Sequence, residues 1–77
     1  MNPNVIRILT LLKKNKGGMH GKQIAKELDI EDYHLVGMIC SELEYNEILE
    51  GEMKNVTWEG RDVGARVYKM KDAKVTE

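Results

Sequence analysis

Apolar residues near the start of the chain recur at three and four: Val5, Ile8, Leu9 and Leu12, with Ile6 and Leu11 widening the stripe. That period predicts an amphipathic helix. Asn2 suits its cap, and Pro3 suits the first helical position, where a missing N–H costs nothing. Lys13 and Lys14 fall in the last turn, where the helix dipole favours cations, and Asn15-Lys16-Gly17-Gly18 stops the helix.

Met19 stands alone between breakers and fits a one-bridge strand. A second helix is predicted over about 21–29, with Ile24, Ala25 and Leu28 as its apolar face. His20 takes its cap position and Gln23 follows three residues later, a relative of the capping box. Asp29 ends this helix, and Ile30 anchors the turn. A third helix is predicted over about 32–46, burying Leu35, Val36, Ile39, Cys40 and Leu43. Gly37 inside it costs ~1 kcal/mol against alanine, which asks for a packing or close-approach reason. An extended piece begins at Ile48, residues 54–63 read as a loop, and a second extended piece runs from Ala65 to Met70. Thr57 to Arg61 alternatively reads as one helical turn, and the polar tail 71–77 is expected to fray.

At 77 residues the chain has room for one domain and a compact core. A single cysteine, Cys40, excludes an internal disulfide framework and a zinc site built from several cysteines. His20, His34 and Cys40 lack metal-ligand spacing, and no nucleophile–base pair or phosphate-cradling loop is present, so neither an enzyme nor a bound cofactor is expected. No apolar run approaches the ~20 residues of a membrane span, and no signal-peptide pattern opens the sequence, so a cytoplasmic protein without a membrane partner is expected. Net charge is −1, yet it is unevenly spread. Residues 1–26 carry six cations and no acid, whereas residues 27–62 carry eleven acids against two cations. Such polarisation allows one basic and one acidic face.

The order helix, short strand, helix, turn, helix, strand, loop, strand resembles the winged helix-turn-helix family over roughly residues 4–70. Two stretches carry the resemblance. Residues 19–30, Met-His-Gly-Lys-Gln-Ile-Ala-Lys-Glu-Leu-Asp-Ile, look like the family's second helix and turn; residues 43–49, Leu-Glu-Tyr-Asn-Glu-Ile-Leu, look like its exit from helix three into the first wing strand. Residues 64–70, Gly-Ala-Arg-Val-Tyr-Lys-Met, look like the second wing strand. The implied fold class is α+β, mostly helical: a three-helix winged helix-turn-helix with a two- or three-stranded β-wing, in a domain spanning 1–70. The chain departs from the family in carrying Asp29 where the turn usually has glycine, in a stretch from Ile30 to Val36 that is one residue longer, and in holding six acids and no cation over 31–50.

The resemblance implies a sequence-specific regulator of transcription that binds double-stranded DNA, most simply as a homodimer through the first helix or the wing. Helix three would enter the major groove with Tyr33, His34, Gly37, Met38 and Ser41 on its exposed side. Lys22, Gln23 and Lys26 on helix two, Lys54, Asn55 and Arg61 in the wing, and Arg66 on its return strand would hold the phosphate backbone. The acids Glu42, Glu44, Glu47 and Glu50 fall in the C-terminal half of that helix and beyond, the part that points away from the groove in this family. Gly37 alternatively fits against helix one, and Met38 a core or dimer contact. Trp58 folds back on the domain, packs at a dimer interface, or lies against nucleic acid. The alternative function is a protein-interaction module that uses the acidic third helix.

Overall fold

The N-terminal apolar stripe is realised as α1 (Pro3–Lys14) in a computed structural model that describes residues 2–71. Asn2 caps it by accepting from the backbone N–H of Asn4 at 2.9 Å. Then follow β1 (Met19–His20), α2 (Gly21–Leu28), α3 (Tyr33–Tyr45), β2 (Leu49–Trp58) and β3 (Arg61–Met70). These are three helices and one antiparallel sheet of three strands in the order β1-β3-β2, an α+β architecture. Of the tail expected to fray, Lys71 donates its N–H to Ile48 O at 3.0 Å, and the rest lies outside the described residues.

One cluster forms the core. Ile8 and Leu12 of α1, Ile24 and Ala25 of α2, Val36, Ile39, Cys40 and Leu43 of α3, and Met19, Leu49 and Tyr68 of the sheet bury together. Burial pushes the Cys40 thiol up to about 12, so it stays neutral and acts as a small core residue. Val5, Leu9 and Leu11 pack against this cluster, which leaves Ile6 as the one exposed large apolar side chain of α1. The apolar excess expected on that helix is thus mostly absorbed within the chain. Arg7 adds a polar tie, donating from Nη2 to the Leu28 carbonyl at the end of α2.

The turns after α2 and α3 end their helices in the same way. Asp29 takes the left-handed conformation at φ 57°, Ile30 N–H reaches Ala25 O at 2.8 Å, and Asp29 N–H reaches Lys26 O at 3.3 Å. Glu47 repeats this at φ 62°, with Ile48 N–H on Leu43 O and Glu47 N–H on Glu44 O, both at 2.9 Å. These are Schellman-type ends with an acid where glycine is usual. Ile48 therefore belongs to the turn, and the strand starts at Leu49.

The stretch 54–63, expected as a loop, is the outer half of a β-hairpin. Its register runs unbroken from Leu49↔Met70 to Trp58↔Arg61. Only Glu59 and Gly60 turn, at φ 51° and 79°, the two positive angles of a type I′ hairpin turn. The outer strands are mostly solvated on both faces, so they lack the apolar alternation that announces a strand; Val56↔Val63 is their one pair of aliphatic partners.

Two stability outcomes follow from this packing. Ile24→Ala and Leu43→Ala each remove a core side chain and should cost ~2–5 kcal/mol in denaturant titrations, comparable to the ~3–5 kcal/mol a core of this size supplies. Midpoints equal to wild type would show that these helix faces are misassigned. Glu59→Asn should act in the opposite sense, raising stability by up to about 1 kcal/mol, because asparagine accepts the left-handed angle that glutamate resists.

Candidate nucleic-acid interface

The open side of α3 is set by its buried side. Val36, Ile39, Cys40 and Leu43 face the core, which turns Tyr33, His34, Met38 and Ser41 outward. Asp32 caps the helix, its carboxylate accepting from His34 N–H at 3.0 Å. The rings of Tyr33 and His34 stack with centroids 4.5 Å apart, and the Lys22 ammonium lies 5.1 Å from the Tyr33 ring centre. Met38 stands 69% exposed, which excludes the core contact. A Cβ on Gly37 would meet nothing within 4 Å, so packing against α1 does not explain this glycine.

Across from α3 runs β3. Between them lies a groove of about 810 Å3, walled by Tyr33, His34, Gly37, Met38 and Ser41 on one side and Val63, Gly64, Ala65, Arg66 and Tyr68 on the other, with His20, Gly21 and Lys22 at its end. The groove gathers seven of the candidate DNA-binding residues: Lys22, Tyr33, His34, Gly37, Met38, Ser41 and Arg66. Among the described residues no acid lines it.

The other candidates sit elsewhere. Gln23, Lys26 and Lys54 surround Trp58, which folds back onto the start of α2. Its indole meets the His20 ring edge-on at 4.8 Å, and the Lys26 ammonium lies 5.5 Å from its ring centre. Asn55 lies opposite Gly64, and Arg61 opposite Trp58 at the hairpin tip. Both are exposed and outside the groove.

Arg66 is the candidate whose surroundings differ most from expectation. Its Nε donates to Glu44 Oε1 at 3.0 Å and its Nη2 to Glu44 Oε2 at 2.5 Å, a bidentate pair that ties β3 to α3. The Arg66 hydrogen bond, helped by the guanidinium charge and the Gly51 N–H, holds the Glu44 carboxyl below its ordinary range. A Cβ on Gly51 would lie 2.8 Å from both Arg66 Nε and Glu44 Oε1, so glycine leaves the space the pair occupies. Nothing in the sequence announces this three-part contact, because its members are up to 22 positions apart and acid–base pairs are common at such spacings.

His20 is more than a cap. It is buried, 4% exposed, and its Nδ1 accepts from Gln23 N–H at 3.3 Å while Gln23 Oε1 accepts from His20 N–H at 3.4 Å. Burial first, and the Lys22 charge second, hold its imidazole below the ordinary 6.5. Among the described residues no group of three or more His, Cys, Asp and Glu is placed to hold a metal ion, and no helix is long and apolar enough to cross a membrane. No family model, curated protein or solved structure matches the chain.

The neutral form of His20 is the one that caps α2, so the linkage has a definite sign. Its contribution is complete above the unfolded value of 6.5 and is lost as pH falls through the lower folded value. Thermal midpoints should therefore drop between about pH 7.5 and about pH 5.5. His20→Asn, which caps without titrating, should show a smaller drop over the same interval. Equal drops in the two proteins would remove His20 as the cause.

Proposed function

We propose that this chain is a winged-helix protein that binds double-stranded DNA and regulates transcription, with α3 in the major groove and α2 and the hairpin wing against the phosphate backbone. The observation that carries this reading is the groove free of acids. The carboxylates of α3 are confined to its cap, Asp32, which lies 3.5 Å from His34 Nδ1, and its C-terminal half, Glu42 and Glu44, while the exposed side of the N-terminal half offers hydrogen-bonding, aromatic and small groups. On this reading a duplex phosphate backbone meets Lys22 at the end of the groove and Lys26 beside Trp58, and base edges meet His34, Ser41 and the Met38 thioether. Gly37, with open space where a Cβ would stand, lets the helix backbone approach closely. A homodimer on a palindromic site belongs to the same proposal, because one such domain contacts few base pairs.

Lys22 and Lys26 lie four apart, clear of the buried Ile24–Ala25 face. Lys22→Ala with Lys26→Ala should weaken binding to all duplexes alike and flatten the salt dependence by about one counterion unit per lost contact. His34→Ala should weaken a preferred site more than random DNA, by roughly 1–3 kcal/mol if the imidazole reads a base. Titrations of preferred and random duplexes at two salt concentrations check both.

A protein-docking module is the second reading. Met38 and Tyr45 stand exposed on α3, seven positions apart and so on one side of it, beside the acidic C-terminal half. No duplex binding by wild type at low salt would hand the function to that reading.

A further inference from the structure

We propose that Glu44 is a gate on the groove: it holds the Arg66 guanidinium in a bidentate pair and so withholds that cation from a duplex phosphate. This inference rests on the DNA-binding reading and specifies how the affinity of that site is set.

Two cations line the groove, Lys22 and Arg66, and they are held differently. The Lys22 ammonium lies over the Tyr33 ring, a contact that leaves its charge uncompensated and its donors open to an incoming oxygen. Arg66 instead faces a full opposite charge and has spent its Nε–H and one Nη2–H, two of the five donors of a guanidinium. A phosphate approaching this side meets a neutralised pair.

The pair is built rather than incidental. Gly51, lacking a Cβ, leaves the space that both side chains fill. It also remains within reach of solvent, Arg66 being 41% and Glu44 26% exposed at their side chains, so a phosphate can compete for the guanidinium without unfolding the domain. The contact is polar on both sides and lies outside the buried cluster, so loss of its charge leaves the packing of α3 in place. Glu44→Gln suits the test, because its amide oxygen still accepts from Arg66 while the negative charge is gone.

Fluorescence-anisotropy titrations of a random-sequence duplex over a series of salt concentrations read the gate. Glu44→Gln should bind about three- to tenfold more tightly than wild type at low salt, with a salt slope steeper by about one counterion unit. The double variant Glu44→Gln with Arg66→Gln, which removes both charges of the pair, should lose the gain of Glu44→Gln. Gly51→Ala, which keeps every charge but crowds the pair with a Cβ, should shift binding in the same direction as Glu44→Gln. Thermal melts establish that each variant is folded.

A Glu44→Gln protein that binds no more tightly than wild type overturns the gate. So does a double variant that keeps the gain of Glu44→Gln, because the added affinity then does not come from Arg66. If wild type binds with a slope set by Lys22 and Lys26 and Glu44→Gln leaves it unchanged, the gate alone falls. If neither wild type nor Glu44→Gln binds duplex at low salt, both the gate and the DNA-binding reading fall.

Discussion

Gly18 sits where β1 runs against β3, at φ 96°, and a Cβ there would stand 2.7 Å from Val67 Cγ1 and 3.0 Å from the Tyr68 carbonyl oxygen. No side chain fits this approach, and the rest of the domain depends on it. It lets Met19 pair with Tyr68 and His20 with Val67. The first pairing closes the core from the sheet side. The second fixes His20, which starts α2 and closes the end of the groove. α2 in turn packs on α3, and this sets the outward face of the third helix. The position of the groove is thus inherited from a two-residue strand.

The helices were legible because each combines a buried stripe with punctuation at both ends: Asn2 and Pro3 before α1, His20 with Gln23 at α2, and Asp29 where α2 stops. The short strand at Met19 was legible from its isolation between breakers. The outer hairpin was not. Its turn is Glu-Gly rather than Asn-Gly, and its strands carry lysine, asparagine, threonine and aspartate that no buried face requires. Of the candidate site, the outward residues of α3 and Lys22 were readable from helical periodicity, since knowing the buried positions identifies the others. The engagement of Arg66 with Glu44 and the return of Trp58 to His20 are tertiary, and periodicity carries no trace of either.

Charge is handled by segregation. The acids of α3 sit at its cap and in its C-terminal half, and the two turns after α2 and α3 place Asp29 and Glu47 in a conformation that glycine adopts more easily. Glu44 is countered by Arg66, and Glu47 lies 3.4 Å from the Lys71 ammonium. Among the described residues no acid lines the groove itself, and the two carboxylates nearest its walls, Glu44 and Asp32, lie against Arg66 and His34.

The strand order β1-β3-β2 also sets contacts of very different sequence separation side by side. The β2–β3 hairpin turns over two residues, so its strands meet at little entropic expense. The β1–β3 ladder joins residues 47 to 49 positions apart and has only two rungs to reward that closure. The hairpin and the helices make contacts local in sequence, of the kind that form on microsecond timescales, whereas the β1–β3 pairing closes a stretch of chain that holds α2, α3 and β2. The shape of the groove thus rests on the pairing that has the longest stretch of chain to close and the fewest rungs to hold it, since that pairing brings His20 to the end of the groove.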